Sequence, residues 1–311
     1  MRSRLMGSDG VHRWLPFAAL LLAMVLWGSS FVALKYSFQE MHPLMVILGR
    51  MVIASLCFLP FFRSFARMGL RRCHVLPVAA MCLCEPCLYF LFESAALVYT
   101  SASQAAMITS MLPLLVGLSA GFFLGERITS RTICGFLVAA GGAFWLSMAS
   151  QETVQAPHPA LGNFLEFMAM VCAAGYTILM KRLSKELHPF FLTGLQAFAG
   201  AVFFAPVLLL PSVRAASLSV NGWLVVFYLG TAVSVGAYGL YNFGISRIPA
   251  SQASAFVNLI PVFSIVLGFF LLGERLTFWQ WMACALVFSG VLLSQDVAAR
   301  NKGMSEVGTE R

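Results

Sequence analysis

One passage of this chain is written twice. Ser103-Gln104-Ala105, Pro113, Gly125-Glu126-Arg127, Thr129 and Gly142 recur as Ser251-Gln252-Ala253, Pro261, Gly273-Glu274-Arg275, Thr277 and Gly290, without a gap and at one offset (261 − 113 = 148). Upstream, Lys35 and Glu40-Met41-His42-Pro43 return as Lys181 and Glu186-Leu187-His188-Pro189, at an offset of 146 (188 − 42 = 146). The repeat unit is therefore close to half of the 311 residues, and the fold must be two copies of one arrangement.

Composition says where those copies sit. With 60% apolar and only 10% charged residues, the chain cannot cover a water-facing surface, which needs roughly a quarter charged residues. Its length is spent on apolar runs of about 20 residues, the span of a helix crossing hydrocarbon roughly 30 Å thick. The runs lack the alternation of a membrane β-barrel. The expected class is an all-α integral membrane protein with ten spans, near 15–35, 43–62, 75–97, 103–124, 131–149, 161–180, 189–210, 222–246, 251–272 and 278–297. Two five-helix repeats, 17–147 and 161–294, flank a polar connector from Gln151 to Ala160.

Sixteen of the twenty Lys and Arg residues fall in the N-terminus, the even-numbered loops and the C-terminus. Lys35, Arg214 and Arg275 lie on the other side, and Arg50 is within a span. Cytoplasmic loops retain basic residues, so both termini are expected in the cytoplasm. The N-terminus, with Arg2, Arg4 and Arg13 before a long apolar run, reads as an uncleaved first span. Because five is odd, the second repeat begins on the opposite side of the membrane and the halves are inverted, the symmetry that alternating access uses. The net charge of +8 has no soluble basic domain to act through, so no nucleic-acid partner is expected. The polar stretches are also too short to house a nucleotide-hydrolysing engine.

Pro113 and Pro261 lie near the midpoints of spans four and nine. Each lacks the N–H that would bond the carbonyl of Thr109 or Val257, so both helices should kink or loosen there. Matched interruptions in two halves point to a transporter's binding site. The small pairs Ala102 and Ala106, and Ala250 and Ser254, read as close-packing positions, as do Gly135, Gly141, Gly142 and Gly290. In the two Gly-Glu-Arg-x-Thr turns, Gly can end one helix in a left-handed conformation and Thr129 or Thr277 can cap the next.

Ionisable groups inside spans are costly and are functional candidates. Arg50 and Glu85 sit at similar depth in spans two and three, with Glu93 nearer the outer face. Two readings stand side by side: an Arg50 pair with Glu85 or Glu93, or an Arg50 that binds an anionic group while a glutamate carries a coupling proton. Lys35 and Glu166, near span ends, are expected to snorkel to the interface. Deep polar and aromatic groups, Trp27, Tyr89, Tyr176, Tyr238, Tyr241, Asn242 and Asn258, should face another helix or a cavity. Cys82, Cys84 and Cys87 invite a metal reading, but only Cys84 and Cys87 share a helical face, so no metal and no cofactor are expected. No nucleophile-base set or phosphate-binding Gly-rich loop is present, and no enzyme is expected.

Trp27-Gly28-Ser29-Ser30-Phe31 followed by Lys35, the second-span Arg50, and Ser103-Gln104-Ala105 through Pro113 to Gly125-Glu126-Arg127 resemble the EamA-like permeases of the drug/metabolite transporter superfamily. The second copy departs from the first: Trp27-Gly28 has become Ala173-Ala174 and Arg50 has become Gln196. The small multidrug exporters of that superfamily couple to protons through a first-helix glutamate, and no acid occupies the first span here.

The resemblance implies an inner-membrane permease that exports small metabolites such as amino acids by alternating access. A cationic drug is the alternative substrate. A sugar-phosphate exchanger is disfavoured, because it should show several cavity-facing cations, and a membrane enzyme or sensor because no chemical constellation or output domain is visible. The expected substrate contacts are Trp27, Ser30, Arg50, Tyr89, Pro113, Tyr176, Tyr241, Asn242, Asn258 and Pro261, with Glu85 and Glu93 for coupling. The expected partners are a small-molecule substrate and the lipid bilayer. Oligomeric state stays open.

Overall fold

The computed structural model describes residues 6–61, 63, 70–124, 130–214, 219–248 and 250–294. Arg2, Arg4, the Gly125-Glu126-Arg127 turn, Thr129 and the tail after Ser294 lie outside the described residues.

Among the described residues the architecture is all-helical, with one isolated bridge between Thr153 and Ala156 in the connector. In chain order the apolar helical segments are α1 (Trp14–Glu40), α2 (Pro43–Phe61), α3 (Arg72–Tyr99), α4 (Ala102–Ser119), α5 (Ile133–Met148), α6 (Pro159–Leu183), α7 (Pro189–Leu209), α8 (Val220–Arg247), α9 (Gln252–Leu272) and α10 (Phe278–Leu293). Eight of them are long and apolar enough to cross a membrane, while α5 and α10 are shorter than the ten-span expectation required. The chain is a multi-pass membrane protein.

Helix starts follow local chemistry. Pro43, Pro159 and Pro189 open α2, α6 and α7, each after a histidine, where a missing N–H costs nothing. Ser101 Oγ accepts from the Gln104 N–H at 3.2 Å at the start of α4. Gly273 ends α9 with φ of +67°, in the left-handed region. Thr277 then caps the next helix: its Oγ1 accepts from the Gln280 N–H at 3.3 Å, while Gln280 Oε1 accepts from the Thr277 N–H at 2.7 Å. Glu274, between them, accepts from the Ala102 and Ser103 N–H groups, both at 2.9 Å, and so ties the second half to the first.

The duplication is visible in hydrogen bonds. Lys35 Nζ donates to the carbonyls of Leu97 and Thr100 at 2.5 and 2.7 Å. Lys181 Nζ donates to those of Ile245 and Ile248 at 2.8 and 2.7 Å, the same positions one repeat later. Each lysine thus satisfies last-turn carbonyls that have no partner within their own helix. Lys35 also donates to Gln155 at 2.5 Å and is buried, so it does not snorkel. Glu166 is fully buried as well, against the same expectation.

α5 and α10 pack together backbone to backbone. A Cβ built on Gly290 would lie 2.4 Å from the Ala139 nitrogen and 2.6 Å from the Gly135 carbonyl oxygen, and one on Gly142 would lie 2.7 Å from the Val287 nitrogen. Gly141 is different, since nothing lies within 4 Å of its position, and it is not a packing residue. Gly290→Ala should therefore destabilise the protein by about 1–3 kcal/mol, because backbone must move. Gly141→Ala should be neutral or stabilising by up to about 1 kcal/mol through helix propensity. Thermal unfolding of both variants in detergent checks the contrast.

Candidate functional site

Four helices are interrupted, at matched positions of the two halves. α3 opens at Leu83–Leu88, where Glu85 has an extended backbone (φ −149°, ψ 119°) and is followed by Pro86. α8 is widened over Leu229–Ala237, one repeat later. α4 and α9 tighten into short 3-10 turns at Thr109–Met111 and Phe256–Leu259, just ahead of Pro113 and Pro261. Irregular backbone at membrane depth survives only where protein or a cavity meets it.

The meeting point is a narrow cavity of about 40 Å³. Its wall is built largely of repeat-related pairs: Trp27 with Ala173, Ser30 with Tyr176, Phe31 with Thr177, Phe90 with Tyr238, Glu93 with Tyr241, Thr109 with Val257 and Leu112 with Ile260. Arg50, Glu85, Tyr89 and Met170 complete it. Backbone positions are thus duplicated while side chains are not. The first half contributes one cation and two acids, and the second contributes tyrosines.

Of the residues expected to contact substrate, Trp27, Ser30, Arg50, Tyr89, Tyr176 and Tyr241 line this cavity, together with Glu85 and Glu93. Pro113, Pro261, Asn242 and Asn258 are not in its lining. The prolines shape the wall from behind: Pro113 and Pro261 cannot bond the carbonyls of Thr109 and Val257, which accept instead from the Leu112 and Ile260 N–H groups, and all four of these residues line the cavity. Asn242 is fully buried and works one layer out. It accepts from the Tyr176 hydroxyl and donates to Thr193 Oγ1 at 2.8 Å and Gln196 Oε1 at 3.3 Å.

Of the two readings of Arg50, the ion pair with Glu85 or Glu93 is not formed. Among the described residues the ion pairs are His74 with Glu186 at 2.9 Å and His158 with Glu152 at 3.2 Å, both away from the cavity. Arg50 Nε instead donates to Ser234 Oγ at 3.0 Å, and its guanidinium lies 4.3 Å from the Phe90 ring centroid. Glu85 accepts from the Tyr238 hydroxyl, and Glu93 from Tyr89 at 2.7 Å. Trp27 packs against Tyr238 and Tyr241, with ring centroids 5.1 and 4.8 Å away. Hydroxyl donors and an aromatic face took the places assigned to a salt bridge.

Several contributors escaped the sequence reading, among them the apolar lining residues Phe31, Leu112, Met170 and Ile260. Pro86 carried the same signal as Pro113, a proline inside an apolar run, and could have been found. Gln196 reads as a lost arginine, yet its Nε2 donates to the Glu85 carbonyl at 3.1 Å, bonding a group at the break in α3. Ser234 and Phe90 are ordinary span residues whose roles had no sequence signal.

The EamA-like transporter family model matches the chain twice, over residues 14–148 and 160–295. The uncharacterized transporter YetK of Bacillus subtilis (strain 168) is 27% identical over 89% of this chain and 86% of its own length. An uncharacterized transporter of Archaeoglobus fulgidus is 29% identical over 91% and 98%. A Streptantibioticus cattleyicolor protein named "probable terminal-alkyne amino-acid exporter" is 26% identical over 88% and 91%. A crystal structure with 20% identity shares the fold, with a TM-score of 0.66 over 92% of this chain and 98% of that one.

Ser234→Ala should leave the buried Arg50 Nε without its acceptor and cost about 1.5–3 kcal/mol, measured by thermal unfolding. Ser234→Thr, which keeps the hydroxyl, should recover most of that loss. With two family matches spanning both halves around this shared cavity, the chain belongs to the EamA-like transporter family.

Proposed function

We propose that this transporter is a secondary-active exporter of small metabolites of the amino-acid class, working by alternating access and driven by a gradient rather than by ATP. The observation that carries this reading is the cavity wall. One guanidinium, two carboxyl groups and the faces of Trp27, Tyr89, Tyr176, Tyr238 and Tyr241 surround the cavity. A zwitterion of modest size matches that set: its carboxylate meets Arg50, its ammonium meets an acid or an aromatic face, and its side chain meets Phe31, Leu112 and Ile260. The amino-acid exporter among the relatives supports the same class.

In this proposal the substrate is held by Trp27, Ser30, Arg50, Tyr89, Tyr176 and Tyr241. Pro113, Pro261, Asn242 and Asn258 act on the shape of the site, and Glu85 and Glu93 serve in coupling. α5 and α10 complete ten spans, the halves 17–147 and 161–294 are inverted repeats, and both termini face the cytoplasm at the inner membrane. The paired lysine clamps and the repeat-related wall support that symmetry, since two halves exchanging shapes must offer equivalent backbone positions to the cavity. A cationic amphipathic compound is the second reading, favoured by the same aromatic faces and acids. A sugar phosphate is disfavoured, because Arg50 supplies a single cation.

Uptake into proteoliposomes of a pooled set of labelled amino acids, with ethidium in parallel, separates the readings. Arg50→Ala should lower amino-acid binding at least about tenfold, the ~1.4 kcal/mol equivalent of one charged contact, and leave ethidium movement unchanged. Loss of ethidium movement alone in Glu85→Gln would favour the cationic substrate. Equal amino-acid transport per folded molecule in Arg50→Ala would overturn the ligand role.

A further inference from the structure

Glu166 belongs to none of the roles above. It lies seven residues into α6, so its Cα is about 10 Å from the helix start. It is 0% exposed, and neither carboxyl oxygen has a hydrogen-bond partner. Leaving a buried carboxylate bare of donors is among the costliest arrangements a protein can hold, so this surrounding accommodates the neutral acid. A second orphan is close at hand. Glu93, on α3 packed beside α6, has one oxygen bonded to Tyr89 and the other without a partner.

Polar groups continue on both sides of this pair. Asn163 precedes Glu166 by three residues, on the same helical face. It donates to Ser147 Oγ at 3.0 Å and accepts from Thr100 Oγ1 at 2.9 Å. Ser147 also lines a groove of about 760 Å³ at the bundle end, with Ser150, Glu152 and His158. In the other direction Met170, one turn on from Glu166, lines the central cavity, as Glu93 does.

We propose that Glu166 is a proton-carrying site that links the end groove to the substrate cavity through Glu93. The Glu166 carboxyl gives its proton, through an intervening water, to the Glu93 carboxylate, which passes it to water or a basic group in the cavity. Hydronium entering from the groove then reprotonates Glu166 and leaves water, so one proton enters for each that leaves. The groups facing this pair are Tyr89 on α3 and, across the cavity, Glu85, Arg50 and Tyr238, with Glu152 and His158 at the groove and the carbonyl-bound Lys35 on α1. The assignment rests on the transport reading for its purpose, but not for its test.

The first measurement is infrared spectroscopy of the purified protein in vesicles at neutral pH, with and without D₂O. A protonated-carboxyl band that is lost in Glu166→Gln, and that shifts in D₂O, is expected. A band unchanged by Glu166→Gln, or one that does not exchange with D₂O, overturns the site. Glu166→Asp, which keeps the acid, should retain a displaced band and covers the case in which the glutamine variant fails to fold. The second measurement is uptake of the labelled amino-acid pool with and without an imposed proton gradient. Wild type should be stimulated and Glu166→Gln should lose the stimulation, whereas stimulation kept by the variant overturns the carrier role. A wild type that moves neither amino acids nor ethidium sinks the substrate reading alone, and the infrared result still decides Glu166.

Discussion

The cavity depends on two reciprocal ties between the halves. In hydrocarbon a backbone group freed from its helix has no water to turn to, so every interruption must be answered by protein. Arg50 on α2 bonds Ser234 in the widened stretch of α8, and its repeat counterpart Gln196 on α7 bonds the Glu85 carbonyl at the break in α3. Each second helix thus supports the irregular helix of the other half. Four irregular helices can converge on one space because Gln196 meets a backbone carbonyl at the break in α3, while Arg50 and the tyrosine hydroxyls bond the polar side chains that the irregular stretches and their neighbours turn inward.

Upon that duplicated frame the chemistry is one-sided. The cavity wall pairs position with position, yet Glu93 faces the counterpart Tyr241 and Arg50 has given way to Gln196 in the second copy. In the proposed mechanism the symmetric frame is what lets the two halves exchange shapes, and the asymmetric lining is what would give a substrate one binding orientation. The acids are held by hydroxyls rather than by arginine. That leaves Arg50 bonded to one neutral acceptor and packed against an aromatic face, an arrangement open to a ligand in a way that a closed salt bridge is not.

Reading the chain alone reached the family, the membrane class and half of the wall, because those rest on local text. Trp27, Arg50, Glu85, Glu93 and the tyrosines were chosen as polar or aromatic groups too deep to face lipid, and the structure gathers them in one cavity. The same rule failed one layer out. It could not separate Tyr241, which lines the cavity, from Asn242, which braces Tyr176 from behind. It also placed Lys35 and Glu166 at the interface by distance from a span end, although packing against neighbouring helices buries both.

By itself the sequence determined that the chain is helical, membrane-spanning and duplicated, and it marked Pro113 and Pro261 as places where helices loosen. Those properties follow from run length, composition and the missing proline N–H, which act within a single helix. Only the tertiary structure decided which groups meet: Arg50 with Ser234 and Phe90, Glu85 with Tyr238, Gly290 with Ala139, and Glu166 with no donor at all. The physical reason is that a span apolar on every side carries no periodic mark of its inward face. Its neighbours are chosen by packing shape and by the need to satisfy buried polar groups, and neither is written along the chain.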